Sequence, residues 1–175
     1  MGKLGINMLN SYGTKQVFAW ANGEPISFAV LHADVQTLVS TLAQKQGDVL
    51  VSCQSRYAFC VALFASWQTG KVATLLPSAN QEGLKQNLPE IAFSCDDVWA
   101  KTCRQSHGEA DETDVLKYTF KPEQLGVRLY TSGSTGEPKA IEKTIGNLWY
   151  EVESLAQTLD WRDTPLVASV PSYHL

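Results

Sequence analysis

The sequence predicts an α/β fold in which helices cross over a parallel sheet. Short apolar runs bounded by turn residues alternate with longer segments whose apolar residues recur at helical spacing. Such alternation is typical of parallel strands joined by helices. The chain has 175 residues, of which 44% are hydrophobic and 18% charged, which is the composition of one globular domain with a core.

The first predicted elements are a short strand at residues 26–28 and an amphipathic helix at residues 31–45. The helix is indicated by apolar residues at positions 31, 35, 38, 39 and 42. We expect it to end at Gly47, because glycine is the common residue after a helix. The short apolar run at residues 48–53 predicts a strand that is buried on both faces.

The next predicted unit is a second helix followed by a strand. Residues 57–67 are almost entirely apolar or small, Ser55 can cap the start of this helix, and Gly70 lies just beyond its end. Residues 72–76 predict the next strand. A short helix over residues 80–88 is expected to follow.

The later predicted elements include a hairpin and a further helix. In chain order they begin with an irregular connection at 96–114, strands at 115–120 and 127–131 around a turn at 121–122, and a strand at 140–144. A helix capped by Asn147 follows, and a strand at 166–170 comes last. The apolar residues on one face of that helix are Leu148, Val152, Leu155, Ala156 and Leu159.

Charge and composition argue against several classes of function. The formal charge is −4, with 14 Lys and Arg against 18 Asp and Glu and no run of like charge, which predicts no nucleic-acid partner. No stretch approaches the ~18 apolar residues of a membrane span. The four cysteines form no Cys-x-x-Cys pair, so we predict unrelated reduced thiols, no metal site and a cytoplasmic location.

Residues 130–139, Tyr-Thr-Ser-Gly-Ser-Thr-Gly-Glu-Pro-Lys, form the segment that points to chemistry. Gly133 and Gly136 permit conformations that turn successive N–H groups toward an anion, and Lys139 adds a positive charge. Because the lysine leads into a β-prone segment, this is not the Walker loop, nor does it match the dinucleotide or nucleophile-elbow patterns. Composition alone leaves a phosphate-binding loop and a flexible turn as alternatives.

These ten residues resemble the signature loop of the adenylate-forming superfamily, which includes acyl-CoA synthetases, luciferases and peptide-synthetase adenylation domains. Weaker similarities at 26–45, 48–51, 67–73 and 171–174 follow the superfamily's order. Many members have glycine after the lysine, where this chain has Ala140. The resemblance implies that residues 1–175 are a partial amino-terminal AMP-binding domain: a parallel sheet with crossover helices and a phosphate-loop hairpin.

The resemblance also implies a function. A carboxylic acid, acyl or aryl, would be activated by ATP and Mg²⁺ as its adenylate and passed to the thiol of CoA or an acyl carrier protein. Lys139 would assist catalysis, and Tyr173 or His174 would face the acyl pocket. The residues implied to contact the nucleotide phosphates are Thr131, Ser132, Gly133, Ser134, Thr135, Gly136 and Lys139.

Other superfamily motifs have no counterpart in the sequence. We expect the adenine and ribose contacts, the carboxylate that binds magnesium and the mobile carboxy-terminal domain to lie outside the 175 residues. We therefore expect the chain alone to be inactive and prone to self-association. The alternative is a non-enzymatic phosphate-binding or interaction module.

Three further residues are predicted to have structural roles. We expect Arg128 to be solvated or paired, because a single arginine in an α/β domain is rarely a phosphate ligand. We expect Trp149 and Tyr150 to be packing groups rather than a platform for adenine.

Overall fold

The structure is a computed structural model, and it describes residues 5–9, 12–21, 23–76, 88–99, 118–131 and 139–159. The elements in this part of the chain are β1 (Ile6–Met8), β2 (Val17–Ala21), β3 (Glu24–Ser27), α1 (Phe28–Leu42), β4 (Asp48–Val51), α2 (Arg56–Gln68), β5 (Ala73–Leu75), β6 (Ile91–Cys95), β7 (Tyr118–Phe120), β8 (Leu125–Thr131), β9 (Lys139–Thr144) and α3 (Ile145–Thr158).

The predicted parallel sheet is confirmed. Five described strands form it in the order β6-β4-β5-β8-β9; the first four are parallel, and β9 runs antiparallel to β8 at the edge. Helix α2 connects β4 to the parallel strand β5, as a crossover requires. All three residues of β5 are buried, so its sequence does not alternate between core and solvent positions.

The core lies between the sheet and helices α1 and α2. Ser27 and Ser55 cap these helices, because each side chain accepts a hydrogen bond from the backbone N–H three residues later. The prediction for Ser55 is thus confirmed. The fully buried apolar side chains of this core include Leu31, Val35, Leu38, Leu42, Val49, Ala62, Ala65 and Ala73.

The end of α1 differs from the prediction. The helix ends at Leu42, and Ala43 is its C-cap, so Gly47 does not terminate it. Gly47 instead precedes β4 with φ +96°, where a Cβ atom would lie 2.4 Å from the carbonyl oxygen of Glu90. The close approach of the chain before β6 therefore requires glycine at this position.

Two small sheets lie outside the parallel sheet, and the sequence did not predict them. Residues 26 and 27 of the predicted strand end β3, whereas Phe28 begins α1. Strand β3 pairs antiparallel with β2, and β1 pairs antiparallel with β7. The expectation that residues 26–28 belong to the parallel layer was therefore wrong. Strands β1, β2 and β6 were not predicted at all, because their partners lie far along the chain or their runs are short.

Helix α3 begins earlier than predicted. Thr144 is its N-cap, and the side chain of Asn147 accepts a hydrogen bond from the backbone N–H of Thr144, so that the two form a capping box. Asn147 is thus the third residue of the helix rather than its cap. Because β9 ends at the cap, strand and helix follow each other without a loop.

The predicted apolar face of α3 is only partly covered by described residues. Leu148 and Trp149 pack against the core, which confirms the packing role of the tryptophan. Tyr150, in contrast, is 59% exposed, so its predicted packing role was wrong. Val152, Leu155 and Leu159 are about half exposed.

Some predicted elements fall outside the described residues. These are the helix at 80–88, apart from its last residue, the strand at 166–170, most of the connection at 96–114, and residues 115–117 of the strand that ends in β7. Among the helices that the structure does describe, none is both long and apolar enough to cross a membrane.

Candidate phosphate-loop site

The predicted loop lies between the ends of β8 and β9. Thr131, the last residue of β8, pairs with Lys139, the first residue of β9, and Leu129 pairs with Ile141 two rungs earlier. The predicted strand, loop, strand order is confirmed for both flanking strands. No helix begins at Lys139, so the contrast with the Walker loop holds.

The end of β8, where the predicted loop begins, lies at one end of the parallel sheet. Strands β4, β5, β6 and β8 share a direction, so their carboxyl ends lie at one edge, and β8 extends two residues beyond its last pairing with β5. In α/β sheets, ligands usually bind outside the carboxyl ends of the strands. The predicted loop therefore begins at the edge where a ligand site is expected.

Lys139 is exposed at the start of β9 and has no hydrogen bond or ion pair with another residue that the structure describes. Tyr130, which precedes the last residue of β8, is buried. One strand thus anchors the hairpin in the molecule while the other begins with an ammonium group available to an anion.

The remaining predicted site residues lie outside the described part of the chain. They are Ser132, Gly133, Ser134, Thr135, Gly136, Tyr173 and His174. Of Thr131 the structure describes the backbone, which belongs to β8. The phosphate contacts predicted for these residues remain predictions.

Comparison with known proteins gives a consistent set of relatives. No protein-family model matches the chain. The 2-succinylbenzoate–CoA ligase of Oceanobacillus iheyensis is 25% identical in an alignment 180 residues long. The alignment covers 92% of this chain and 38% of that ligase. The 2-succinylbenzoate–CoA ligase of Geobacillus kaustophilus is 38% identical over 66 residues, covering 37% of this chain and 14% of that ligase.

Solved structures show a similar fold. The o-succinylbenzoate CoA synthetase of Bacillus subtilis, in complex with its acyl-adenylate intermediate, matches 87% of this chain and 45% of its own with a TM-score of 0.64 and 20% identity. ATP-bound MatB of Rhodopseudomonas palustris matches 88% of this chain and 37% of its own with a TM-score of 0.58 and 21% identity.

Sequence similarity and fold similarity together indicate the adenylate-forming superfamily for this chain. Its fold matches part of the amino-terminal domain of these enzymes. The chain spans about 38% of the length of the Oceanobacillus ligase, so the assignment of residues 1–175 to a partial domain stays a prediction.

An ion-pair clamp, formed by Asp48, Arg128 and Glu142, ties the hairpin to the parallel sheet. The Arg128 guanidinium donates to the carboxylate of Asp48 on β4, and its Nε donates to Glu142 Oε1 on β9 at 2.9 Å. The Asp48 carboxylate also accepts from the hydroxyl of Thr74, which is fully buried on β5. The clamp therefore spans β4, β8 and β9, and its hydrogen bond from Thr74 connects it to β5.

The clamp confirms that Arg128 is paired. Its burial would lower the pKa of the guanidinium, but the hydrogen bonds and charges of Glu142 and Asp48 raise that pKa above its ordinary value. The sequence alone could not name these partners, because Asp48 lies 80 residues away. The signal that could have drawn attention to it is an arginine within an apolar strand.

The base of the hairpin is fixed by the turn before β8. The backbone N–H of Ile145 donates to the Gln124 carbonyl at 2.8 Å, and that of Gly146 donates to the Pro122 carbonyl at 2.9 Å. A Cβ atom on Gly146 would lie 2.7 Å from the same Pro122 oxygen. The start of α3 thus packs closely on the turn, and the hairpin is held at its base as well as by the clamp.

Three of the four cysteines fall in the described residues, and all three are free thiols. Cys95 ends β6 and Cys53 lies two residues beyond β4; both are buried, with 3.9 Å between their Sγ atoms. Burial raises the pKa of the Cys60 thiol to about 11. The described residues contain no group of three or more His, Cys, Asp or Glu side chains that could hold a metal ion.

Proposed function

We propose that this chain supplies the phosphate-binding loop of an enzyme that uses ATP and Mg²⁺ to activate a carboxylic acid as its adenylate. The acyl group is then passed to the thiol of CoA. The observation that carries the proposal is the match of residues 130–139 to the superfamily's signature loop, between strands whose ends meet at Thr131 and Lys139.

The chemistry defines what the loop must do. An acid carboxylate attacks the α-phosphorus of ATP, the bond to the β-phosphate oxygen breaks, and pyrophosphate leaves with increased negative charge. The Lys139 ammonium, the backbone N–H groups near Gly133 and Gly136, and the neighbouring hydroxyls offset that charge. Oriented donors of this kind are the main requirement of phosphoryl and nucleotidyl transfer.

The donor set of the chain fits a polyphosphate. Lys139 is exposed and unpaired among the described residues, and it lies beside a segment whose residues are glycine, serine and threonine. Lysine acts as a compact point charge toward phosphate and does not need the fixed geometry of arginine. The proposal assigns no Mg²⁺ ligand to the described residues.

The names of the relatives support the acid, the nucleotide and the acceptor. The curated relatives are named as CoA ligases of an aromatic dicarboxylic acid, and one neighbouring structure is named as a complex with ATP and magnesium ion. We propose that Tyr173 and His174 face the acid. A carrier-protein thiol is the second acceptor to test.

The decisive experiment is acid-dependent exchange of pyrophosphate into ATP. A panel of o-succinylbenzoate, benzoate, malonate and a medium-chain fatty acid is tested with the chain and with any longer protein that contains it, and CoA thioester formation follows. Exchange that requires both an acid and Mg²⁺ supports the proposal. Pyrophosphate binding without exchange by any protein containing the chain would instead favour the phosphate-binding module.

A further inference from the structure

A cavity of about 440 Å³ lies at the opposite end of the sheet from the predicted loop. Its wall includes Trp67 and Gln68 at the end of α2, Phe120 of β7, and Lys121 and Gln124 of the turn before β8. Gln124 precedes β8 and Thr131 ends it, so at ~3.3 Å per residue the cavity and the loop are roughly 20 Å apart. A ligand in this cavity would not compete with the nucleotide.

The apolar part of the wall is rigidly built. The rings of Trp67 and Phe120 meet edge to face with centroids 5.6 Å apart. The Trp67 indole N–H donates to the Gly126 carbonyl at 2.9 Å, and the Gln124 amide nitrogen donates to the Trp67 carbonyl at 2.7 Å. These bonds hold both ends of the tryptophan. Trp67 is 7% and Phe120 4% exposed, so only the ring edges that face the cavity are offered to a ligand, and they are fixed before it binds.

Two hydrogen-bond donors on the wall have no acceptor among the described residues. The Gln68 Oε1 accepts from Gln36 Nε2 at 3.0 Å, which leaves the amide nitrogen of Gln68 available. The Lys121 ammonium has neither an ion pair nor a hydrogen bond within the described part of the chain. An ionised carboxylate, which only accepts hydrogen bonds, is the complement of these two donors.

The charge near the cavity favours a monoanion over a phosphate. Among the described residues that line it, Lys121 is the one cation, and the exposed Glu123 follows two positions later. A single ammonium neutralises one carboxylate, whereas a dianion would keep an unbalanced charge beside Glu123. The volume lies within the roughly 300–1,000 Å³ of small-molecule sites.

We propose that this cavity binds a small organic acid through a carboxylate held by Lys121 and Gln68 and an apolar body packed on Trp67 and Phe120. The site is independent of the phosphate loop and of the proposed reaction. The ligand class that fits the site is an aromatic or short aliphatic monocarboxylate.

The test is a titration of the isotope-labelled chain with phenylacetate, followed by NMR, with phenylacetamide as the uncharged control. Phenylacetate should shift the Trp67 indole N–H and Gln68 side-chain amide signals. Phenylacetamide should bind at least about tenfold more weakly, because it lacks the charge. Equal binding of the two compounds, or shifts confined to other residues, would overturn the proposal.

Variants at the exposed Lys121 separate the charge from the fold. K121Q should weaken phenylacetate binding about tenfold and K121R should retain most of it. K15Q, which removes a lysine near the start of α1, should bind like the parent chain. Unchanged affinity in K121Q with an unchanged circular dichroism spectrum would refute the role of the ammonium, and absence of any shift at tens of millimolar phenylacetate would refute the site.

Discussion

Thr131 and Lys139 are paired at the last rung of the ladder between β8 and β9. Directly opposed residues of antiparallel strands have Cα atoms about 4.5–5.5 Å apart. The seven residues between them therefore start and end at nearly the same place. Lys139 is thus held next to the loop by backbone pairing, whether or not a nucleotide is bound.

Replacement of Lys139 by alanine should affect the nucleotide step and not the fold. In a longer, active protein that contains the chain, we expect K139A to slow ATP–pyrophosphate exchange by roughly ten- to a thousandfold, the range for loss of one charged stabiliser of a developing anion. Its melting temperature should hardly change, because the side chain is exposed. K139R should recover part of the rate, and K15A should behave as the parent.

An unchanged exchange rate in K139A would remove the lysine from the proposed site. A lower rate accompanied by a large fall in melting temperature would instead indicate a structural role. Pyrophosphate affinity of the 175-residue chain, measured by calorimetry, provides a readout that does not depend on turnover.

Removal of the Arg128 cation should destabilise the fold. In R128M the Asp48 carboxylate, whose side chain is 15% exposed, would lose its charged partner while remaining largely buried. We expect a loss of about 1–3 kcal/mol in the free energy of unfolding by urea denaturation. E142Q should cost less than about 1 kcal/mol, because the Glu142 side chain is half exposed. Equal losses in the two variants would contradict the clamp.

Two glycines with positive φ offer a matched test of close packing. G47A adds a methyl group 2.4 Å from the Glu90 oxygen at φ +96°, whereas G70A adds one at φ +69° with nothing within 4 Å. We expect G70A to cost about 1 kcal/mol through backbone strain alone. G47A should cost at least about 2 kcal/mol more because the irregular segment before β6 must move. Similar denaturation curves for the two variants would show that the chain relaxes there.

Cys60 should make stability depend on alkaline pH. Burial raises its pKa from 9.0 to about 11, so the unfolded chain loses the thiol proton at lower pH than the folded one. The contribution of the protonated Cys60 thiol to stability is complete below pH 9 and is lost as the pH rises toward 11. Because the Cys60 side chain is only partly buried, we expect the free energy of unfolding to fall by about 1–2 kcal/mol over this range. C60A should lack this component when unfolding is compared at pH 8 and pH 10.5, and identical pH profiles would refute it.

The elements predicted most accurately are those whose signals are local. Helix α2, with Ser55 as its cap and Gly70 beyond its end, was predicted nearly to the residue, as were the strands on either side of the loop. The apolar run, the capping residue and the terminating glycine are neighbours in sequence. Their effects on the backbone act over one or two turns, so they can be recognised without the rest of the molecule.

The sequence by itself determined that strands alternate with helices around a parallel sheet. It also determined a loop whose ten residues match the superfamily's signature loop. Only the tertiary structure decided which distant residues come into contact. Strands β1 and β7 pair across 112 positions, Arg128 forms an ion pair with Asp48 across 80 positions, and Gly47 lies against Glu90. Such partners depend on how whole elements pack around one core, and the cost of closing long loops is recovered only when that packing forms. No local periodicity encodes them.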